Sequence, residues 1–379
     1  SFDALLANAS PGAGRAGRRP DDAIMIQYTS GTTGTPRGVV STHAGWLRAS
    51  MIEPPLKGIG ADTIYLNVLP MCHTGGAKWV VEVLFTGATM VIADRFDPGE
   101  VAAIIARERV TNITLVPTML YQLLDEPSLA QHDLSSLCYV NHGGAPMLEG
   151  RLRQAIARLG CRFTQGYGMT EIAGGSITFA GPADHHVDGI VSPKLGSAGR
   201  PLIDCDVRLV DGSGTEVALG EVGEVIVRTD RALAGYWRGT GSPLDGQGFY
   251  HTGDLARMDE DGYLTIVDRA KDMIVSGGLN IFSREVEDVL TRHDSIAEAY
   301  VVGVPDAHWG EAVKAVIVLH PGARLDAEGV RAWCRLSLAG YKKPSIVDFA
   351  DTTELPRTSL GKVVKRALRR DDWRTAVRD

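Results

Sequence analysis

The chain has 379 residues, of which 44% are hydrophobic and 22% charged, a composition that excludes a disordered or a fibrous protein. At about 100 to 200 residues per domain, this length indicates two or three domains. The 39 basic and 46 acidic side chains give a net charge of −7, which disfavours general attraction to nucleic acid or to an anionic membrane. Local groups must therefore hold any phosphate ligand.

The cysteines and the apolar runs bear on where the protein resides. The five cysteines are scattered, odd in number and free of C-x-x-C spacing, so neither a disulfide framework nor a zinc site is indicated. No stretch approaches the roughly 18 apolar residues of a membrane span. The first residues also lack the basic and apolar regions of a signal peptide. We therefore predict a cytoplasmic protein without a membrane span.

The first two thirds of the chain show an alternating pattern. Residues 1–22 are predicted to form a linker or to be disordered, because residues 8–22 are rich in Gly, Pro and charge. From Ala23 onward, short apolar runs alternate with amphipathic stretches such as 98–107, which is typical of an α/β protein. Strands are predicted at 23–28, 63–70, 89–93, 112–116, 136–141 and 162–165. Short strands separated by turns between about 196 and 268 predict a small antiparallel β subdomain.

A second unit is predicted to follow. Ser283 is predicted to cap a helix whose residues Val286, Val289 and Leu290 share one face. Strands over 299–304 and 313–319 and a helix over 327–338 come next. These elements predict an α+β domain over 271–379, after a larger N-terminal domain over 23–270.

The most informative segment follows the first predicted strand and reads Tyr-Thr-Ser-Gly-Thr-Thr-Gly-Thr-Pro-Arg-Gly at 28–38. Its glycines allow close backbone approach to an anion, its hydroxyls are donors, and Arg37 supplies a positive charge. It does not fit the nucleotide loop G-x-x-x-x-G-K-[ST], because Gly31 and Gly34 are too close together. Taken alone, the segment indicates either a phosphate cradle or a turn rich in Gly and Thr.

Three later segments carry groups suited to a nucleotide. Tyr-Gly-Met-Thr-Glu at 167–171 offers a ring for a purine, a hydroxyl for a phosphate and the Glu171 carboxylate for Mg²⁺, although a capped helix start is the alternative. Asp254, in a predicted turn, either accepts hydrogen bonds from ribose hydroxyls or is structural. By composition alone, Lys362 is a solvated surface cation.

These segments occur in order with Asp-Arg-Ala-Lys-Asp-Met-Ile at 268–274, Ser-Gly-Gly-Leu-Asn at 276–280 and Pro-Arg-Thr-Ser-Leu-Gly-Lys at 356–362. Together they resemble the adenylate-forming superfamily of acyl-CoA synthetases, firefly luciferase and the adenylation domains of peptide synthetases. The resemblance covers about 23–370. It implies an α/β fold with a large N-terminal adenylating domain, truncated at its start, and a smaller mobile α+β C-terminal domain.

The resemblance implies a site for ATP, Mg²⁺ and CoA. It assigns the ATP phosphates to Thr29, Ser30, Gly31, Thr32, Thr33, Gly34 and Arg37. It assigns the nucleoside to Gly143, Gly144, Ala145, Gln165, Gly166, Tyr167, Asp254 and Arg269. Thr170 is implied to contact the α-phosphate and Glu171 the metal. Lys362 is implied to be the catalytic cation between the carboxylate and the α-phosphate, where a preorganised charge acts strongly.

The implied reaction joins a carboxylic acid to AMP and then to the thiol of CoA. The C-terminal domain is implied to rotate about Lys271 between the two steps, so that Gly277 and Gly278 admit the pantetheine arm of CoA. One alternative is an acyl-AMP ligase that loads an acyl carrier protein, disfavoured because 221–269 is too compact for the insertion such relatives often carry. The other is a catalytically silent nucleotide-binding subunit, disfavoured because Lys362, Glu171, Asp254 and Arg269 are all present.

Two departures from the family pattern affect the predicted activity. Arg37 stands where the family usually has lysine, and the two cations differ in geometry. Only 27 residues precede Tyr28, where family members carry an upstream subdomain. We expect a trimmed piece, a split-gene product with a complementary chain, or a shortened protein that buries an apolar face in a homo-oligomer.

The acyl pocket is expected around 71–76, His142 to Gly143 and 168–175. His73 matches a gate position of the family, and a packed histidine is the alternative. No aspartate in 71–76 is available to hold an α-ammonium group, which disfavours amino acids and leaves a fatty or an aromatic acid open. Lys78 either meets a second carboxylate of the substrate or is solvated. Four glycines are predicted to leave volume for a bulky or ring-bearing acid: Gly75, Gly76, Gly174 and Gly175.

Overall fold

The computed structural model describes residues 7, 17–29, 36–187, 190–357, 363–370 and 373. Its α-helices are α1 (His43–Leu56), α2 (Thr74–Thr86), α3 (Pro98–Glu108), α4 (Pro117–Asp125), α5 (Glu149–Leu159), α6 (Ser283–Leu290), α7 (Ala327–Arg335) and α8 (Lys365–Leu368). Its strands as far as the central sheet are β1 (Ala23–Thr29), β2 (Arg37–Thr42), β3 (Ile64–Asn67), β4 (Thr89–Ile92), β5 (Asn112–Leu115), β6 (Tyr139–Gly143), β7 (Arg162–Gly168) and β8 (Ser176–Ala180). The strands that follow are β9 (His186–Val187), β10 (Ile190–Val191), β11 (Arg200–Pro201), β12 (Asp206–Val210), β13 (Gly223–Arg228), β14 (Gly235–Tyr236), β15 (Tyr250–Met258) and β16 (Leu264–Arg269). The last strands are β17 (Ile274–Ser276), β18 (Leu279–Ile281), β19 (Ile296–Asp306), β20 (Gly310–Leu319) and β21 (Ile346–Phe349).

A seven-stranded sheet lies at the centre of the larger part of the chain. Its strand order is β11-β8-β7-β6-β5-β3-β4. Strands β3 to β7 are parallel, whereas β8 and β11 run antiparallel to their neighbours. Helices α2 to α5 connect the successive parallel strands, because parallel strands need crossover connections. The α/β class predicted from the sequence is confirmed.

The two faces of this sheet differ in chemistry. One face is apolar and packs on α3, α4 and α5 through buried side chains that include Leu66, Ile113, Val140 and Phe163. The opposite face carries what we call the polar row, which consists of Asn67, Thr114, Asn141 and Thr164. Thr114, Asn141 and Thr164 are register partners on adjacent strands. Asn67 follows Leu66 and therefore points to the same side as they do, because side chains alternate along a strand.

The remaining sheets confirm that β structure dominates the middle of the chain. Strands β1, β2 and β14 form a three-stranded antiparallel sheet, with β1 at its edge. Strands β12, β13, β15 and β16 form a four-stranded antiparallel sheet, which is the predicted small β subdomain. The chain reaches Arg269 at the end of β16 before the final unit begins.

The final unit packs helices on both sides of a five-stranded sheet. Its strand order is β18-β17-β20-β19, with β21 parallel to β20. Helices α6 and α7 cover one face, while α8 and Trp373 cover the other. This arrangement fits the predicted α+β class. The division of the chain into domains at 270 and 271 stays a prediction.

The start of α6 differs from the prediction. Phe282 is the N-cap, and Ser283 is the first helical residue, so the assignment of Ser283 as the capping residue is wrong. The carboxylate of Asp268 supplies the cap from outside, because it accepts hydrogen bonds from the backbone N–H groups of Ser283 (2.5 Å) and Arg284 (3.4 Å). A local pattern could not reveal this cap, because its acceptor lies 15 residues upstream.

Candidate active site

The predicted phosphate loop joins β1 to β2. Thr29 and Arg37 are register partners at the base of this hairpin. The predicted residues Ser30, Gly31, Thr32, Thr33 and Gly34 lie outside the described residues. The Arg37 guanidinium carbon lies 4.4 Å from the centre of the Tyr236 ring. This cation–π contact fixes the charge at the loop base, although Arg37 replaces a lysine.

The predicted adenine loop begins where β6 ends. A Cβ on Gly143 would lie 2.6 Å from the carbonyl oxygen of Gly166, so the two strands approach closely at this point. Gly144 has a φ of +76°, which favours glycine, and a Cβ there would meet only Val116 Cγ1 at 3.8 Å. Ala145 follows in the same loop. The sharp turn leaves open backbone at the carboxyl edge of the sheet, where ligands bind in open α/β sheets.

The predicted purine and ribose residues meet between two sheets, because Tyr167 lies near the end of β7 of the central sheet and Asp254 and Arg269 lie on β15 and β16 of the four-stranded sheet. The Tyr167 hydroxyl donates to Asp254 Oδ2 at 2.8 Å, and Arg269 Nε lies 3.1 Å from Asp254 Oδ1. Burial raises the pKa of Tyr167, and the Asp254 carboxylate raises it further. Asp254 lies in β15 rather than in a turn, so the predicted turn is wrong, but its carboxylate is held between a phenol and a guanidinium. Gln165 and Gly166 precede Tyr167 on β7.

Thr170, the residue predicted to contact the α-phosphate, is oriented by the Thr74 hydroxyl, which in turn bonds to the side-chain amide of Gln27. Thr170 begins a 3-10 turn rather than a capped helix. The Thr74 hydroxyl lies 3.1 Å from the Thr170 hydroxyl and donates to Gln27 Oε1 at 2.9 Å. Gln27 lies on β1, immediately before the predicted phosphate loop. This chain of contacts therefore joins three separate segments at one hydroxyl. Gln27 was not found from the sequence, and Thr74 was assigned there only to the acyl pocket over 71–76.

The predicted metal residue is enclosed by two tyrosines. The Tyr236 hydroxyl lies 3.5 Å from Glu171 Oε1 and 3.0 Å from the Tyr250 hydroxyl. Burial raises the pKa of Glu171, although the Arg37 charge opposes the rise. A partly buried carboxylate with such incomplete charge compensation fits a Mg²⁺ ion shared with phosphates. Among the described residues no cluster of three His, Cys, Asp or Glu side chains could hold a metal ion, so Glu171 would need phosphate oxygens as further ligands.

The expected acyl pocket is only partly as predicted. His73 is the N-cap of α2 without a side-chain capping bond. His142 is the register partner of Leu115, which belongs to the apolar core. Its side chain therefore lies on the apolar face of the sheet, opposite to the side chain of Asn141. Its Nε2 atom lies 3.1 Å from Nε2 of His185, and burial lowers the pKa of both rings. His142 is thus a packed histidine rather than part of the expected pocket, whereas the gate role of His73 stays a prediction.

Three of the four glycines predicted to leave volume do not do so. The space beside these glycines is already filled by the protein. A Cβ atom placed on Gly76 would lie 2.3 Å from the Pro70 carbonyl oxygen, and a Cβ atom placed on Gly174 would overlap the Thr74 side chain. One on Gly175 would lie 1.8 Å from Arg231 Nη1. Only at Gly75 is there space, with Leu69 Cδ1 at 3.6 Å as the sole near neighbour. The prediction for Gly75 alone agrees with the structure.

A group of buried charges lies beneath this region. This charge cluster consists of the buried residues Glu53, Lys57, Lys78, Glu82 and Arg231 together with Asp204, whose side chain is 4% exposed. Lys78 Nζ lies 2.5 Å from Glu53 Oε2 and 3.6 Å from Glu82 Oε1, so the prediction of a solvated lysine is wrong. Burial lowers the pKa of Lys78 to about 8. Because both carboxylates already pair with it, Lys78 is not available to a second carboxylate of the substrate.

The predicted hinge and CoA residues lie at the start of the final unit. Arg369 Nη2 donates to the Lys271 carbonyl oxygen at 2.9 Å. Burial lowers the pKa of Lys271, and the Arg269 charge lowers it further. Gly277 and Gly278, with φ of +57° and +78°, form the two-residue turn between β17 and β18. The predicted catalytic Lys362 lies outside the described residues.

Comparison with known proteins identifies the class. The model of the AMP-binding enzyme family matches residues 5–237, and that of the AMP-binding enzyme C-terminal domain matches 285–362. The chain therefore belongs to the AMP-binding enzyme family, and the resemblance to adenylate-forming acyl-CoA synthetases is confirmed.

Individual relatives agree with this assignment. The chain is 41% identical over 368 residues to the medium/long-chain-fatty-acid–CoA ligase FadD8 of Mycobacterium tuberculosis, covering 95% of this chain and 63% of the relative. It is 40% identical over 356 residues to a feruloyl-CoA synthase of an Amycolatopsis species, covering 92% of this chain and 70% of the relative. The structure of the o-succinylbenzoate coenzyme A synthetase of Bacillus subtilis with ATP and magnesium superposes with a TM-score of 0.85, at 31% identity, over 97% of this chain and 74% of that one. The chain thus spans about two thirds of the length of these relatives.

Two further observations bear on the setting of the site. No helix in the described ranges is long and apolar enough to cross a membrane. All five cysteines are free.

Proposed function

We propose that this protein is an AMP-forming carboxylic acid–CoA ligase that uses MgATP. The observation that carries the proposal is the meeting of two groups of residues at the carboxyl edge of the central sheet. Tyr167, Asp254 and Arg269 form a set suited to a nucleoside. Thr170 and Glu171 follow Tyr167 within four residues, where the phosphates of the same nucleotide would lie.

The first step forms an acyl-adenylate. A carboxylate oxygen of the acid attacks the α-phosphorus of ATP, and the bond to the β-phosphate oxygen breaks to release pyrophosphate. Thr170 donates to the α-phosphate, and Lys362 supplies the cation between the two negative reactants. Mg²⁺, held by Glu171 and phosphate oxygens, would neutralise charge on the leaving pyrophosphate. Thr29, Arg37 and the loop over 30–34 hold the β- and γ-phosphates.

The second step forms the thioester. The thiol sulfur of CoA attacks the activated carbonyl carbon, AMP leaves with the electron pair, and the thiol proton passes to solvent. The turn at Gly277 and Gly278 supports an approach for the pantetheine arm, since neither residue carries a side chain. We propose that the final unit rotates about Lys271 between the two steps. The acid is a fatty or an aromatic acid, as the names of the relatives suggest.

We also propose that the chain associates with itself. Leu47 and Met51 on α1 and Leu84 and Phe85 on α2 are each at least 50% exposed, although apolar. Ile24 on the edge strand β1 adds to this apolar surface. A second copy is the expected occupant in a purified sample, because the surface is exposed on every chain. Light scattering behind size exclusion tests this: a dimer supports it, and a stable monomer at high concentration points instead to a complementary chain.

We further propose a cytoplasmic location. Its supports are the five free cysteines and the use of ATP and CoA.

The test of the ligase is pyrophosphate release from MgATP with a panel of aliphatic, aromatic and polycyclic acids, each with and without CoA. Acid-dependent release that CoA accelerates supports the proposal. Release indifferent to CoA indicates a carrier protein as acceptor, and no release with any acid indicates a silent nucleotide-binding subunit.

A matched pair of variants tests the role of Lys362. Lys362→Ala is expected to lower pyrophosphate release about 100-fold or more, while thioester formation from supplied acyl-adenylate is kept. Lys194→Ala, which removes a lysine paired with Asp259 at the surface, serves as the control and is expected to change neither step. Equal loss of both steps in Lys362→Ala would contradict the two-step assignment.

A further inference from the structure

A bulge in β15 presents the Asp254 carboxylate. Where β13 pairs with β15, the single residue Val225 faces the three residues 252–254, which we call the Asp254 bulge. Gly253 within it has a φ of +71°, the left-handed conformation that favours glycine. Bulges beside functional sites bend a strand and re-aim a side chain. The direction of the Asp254 side chain therefore depends on what holds this bulge.

Three hydrogen bonds fix the shape of the Asp254 bulge. The Thr252 hydroxyl donates to the Val225 carbonyl oxygen at 2.7 Å and accepts from the Asp254 backbone N–H at 3.1 Å. The Gly253 backbone N–H donates to Glu224 Oε1 at 3.0 Å. Glu224 on β13 thus holds the middle of the bulge with its side chain, from the neighbouring strand.

The Glu224 carboxylate is itself oriented. Its Oε2 atom lies 3.1 Å from Nδ1 of His251, and Nε2 of the same ring lies 3.4 Å from Asp245 Oδ2. The Glu224 side chain is 27% exposed, so its loss strands no buried charge, and water can reach the freed backbone N–H. We therefore expect the chain to fold without this carboxylate, but with a bulge that is less firmly held.

The position of the bulge governs both charged groups predicted to hold the ribose. The Gly253 carbonyl oxygen accepts from the Ala270 backbone N–H at 2.9 Å, and Asp254 is the register partner of Arg269. The Asp254 carboxylate accepts from the Tyr167 hydroxyl at 2.8 Å and lies 3.1 Å from Arg269 Nε. A shift of the bulge therefore moves the carboxylate relative to both partners.

We propose that Glu224 is a positioning residue for the nucleotide: by fixing the bulge, it holds the Asp254 carboxylate where the ribose hydroxyls of ATP bind. Glu224 acts through the backbone of Gly253 and does not itself touch the nucleotide. Hydrogen bonds weaken steeply with poor geometry, so a displaced carboxylate loses the ribose hydroxyls while the phosphate contacts remain. This inference rests on the proposed ligase function and adds a residue to the binding of its ATP.

Calorimetric titration of the full chain with MgATP, 2′-deoxy-ATP and 3′-deoxy-ATP, without acid or CoA, tests the proposal. Glu224→Ala is expected to raise the Kd for MgATP about tenfold. It is also expected to bring the preference for ATP over each deoxy-nucleotide to within about threefold of unity. In the pyrophosphate assay, the KM for ATP is expected to rise similarly, while kcat and the KM for the acid stay within about twofold of the parent values.

Two conservative variants separate the length of the side chain from its charge. Glu224→Gln keeps an oxygen within reach of the Gly253 N–H and is expected to retain the parent Kd to within about threefold. Glu224→Asp keeps the charge near His251 but withdraws the oxygen from the Gly253 N–H, and is expected to behave like Glu224→Ala. This pair decides the question even if Glu224→Ala fails to fold.

The matched control is Asp211→Ala. Asp211 follows β12 of the same sheet, and its Oδ1 atom also accepts from backbone N–H groups in a turn, from Ser213 at 2.8 Å and Thr215 at 3.0 Å. Its loss is expected to change neither the Kd for MgATP nor the preference for ATP over the deoxy-nucleotides.

The outcomes separate this inference from the function on which it rests. A parent-like Kd in Glu224→Asp or Glu224→Ala overturns the inference alone. A higher Kd with an unchanged preference for ATP over the deoxy-nucleotides also overturns it, because the loss would then not concern the ribose. A double variant, Glu224→Ala with Asp254→Ala, that binds MgATP more weakly than Asp254→Ala overturns it too, since Glu224 would then act by another route.

The parent chain completes the test. A parent that binds ATP and both deoxy-nucleotides equally overturns the inference. A parent that binds MgATP but releases no pyrophosphate with any acid overturns the ligase, while the titrations still decide the role of Glu224. A parent that neither binds MgATP nor releases pyrophosphate overturns both.

Discussion

Glu53 is the point at which the charge cluster is most vulnerable. Its carboxylate lies 2.8 Å from Lys57 Nζ and 2.5 Å from Lys78 Nζ, and it accepts from the backbone N–H of Ser176 at 2.9 Å and from the Ser176 hydroxyl at 2.8 Å. Burial opposes its charge, but the neighbouring cations hold the pKa of Glu53 well below its usual range. Glu53→Gln therefore leaves one buried positive charge without a counter-charge.

The expected cost follows from that imbalance. Removing one partner of a buried ion pair destabilises a protein by about 3 to 5 kcal/mol. At roughly 2 to 4 °C per kcal/mol for a domain of this size, the unfolding temperature is expected to fall by at least about 6 °C. A second substitution, Lys78→Met, removes the excess charge and is expected to recover part of this loss.

Thermal unfolding followed by circular dichroism measures both effects. The control is Glu149→Gln, because Glu149 pairs with Arg153 at the surface and such pairs contribute about 1 kcal/mol or less. A fall of less than 2 °C in Glu53→Gln, or a double variant less stable than the single one, would refute the account of the cluster as a balanced set of buried charges.

Three further changes have expected outcomes. Tyr236→Phe removes the hydroxyl near Glu171 and is expected to raise the Mg²⁺ concentration needed for half-maximal pyrophosphate release about tenfold. Thr74→Val leaves its hydroxyl partners unpaired and is expected to lower the rate of adenylation about tenfold in single-turnover measurements, whereas Thr74→Ser keeps the rate. For His142 and His185, burial lowers the pKa, so the unfolded chain binds protons that the folded chain does not. The two neutral histidines therefore make their full contribution to the free energy of unfolding above about pH 6.5. This contribution is expected to fall as the pH drops toward 5, which urea titrations at several pH values would show.

Each of these expectations has a result that would contradict it. An unchanged Mg²⁺ requirement in Tyr236→Phe would remove the tyrosine from the support of Glu171. Equal rates in the Val and Ser variants of Thr74 would show that its hydroxyl does not orient Thr170. Equal losses of stability between pH 7 and pH 5 in the parent and in His185→Gln would place the titrating groups elsewhere, for example at surface carboxylates.

The sequence predicted the fold and the nucleotide residues for a physical reason. Alternating apolar runs and turn glycines act locally, and the segments around Tyr167 and Asp254 carry their chemistry within a few adjacent residues. The predicted turn at Asp254 failed because pairing with β16 is a long-range effect, with Arg269 as its partner. The cap of α6 failed for the same reason.

The charge cluster was missed because sequence patterns report local structure and do not show which helices pack together. Glu53 and Lys57, like Lys78 and Glu82, are spaced i, i+4, which in a sequence is typical of exposed helix pairs. Only the packing of α1 and α2 on the sheet buries them. Opposite charges at this spacing on both of two successive helices are the signal in the sequence that could have indicated the cluster.

The cap of α6 has a consequence for the proposed rotation. Asp268 precedes Lys271, whereas Ser283 and Arg284 follow it, so these hydrogen bonds bridge the proposed hinge. A turn about Lys271 that separates the two sides must break them and leave the helix without its acceptor. With about 1 kcal/mol for a helix cap, the present arrangement is favoured about fivefold on this account alone. A carboxylate near the end of a strand would thus act as a latch against the proposed rotation.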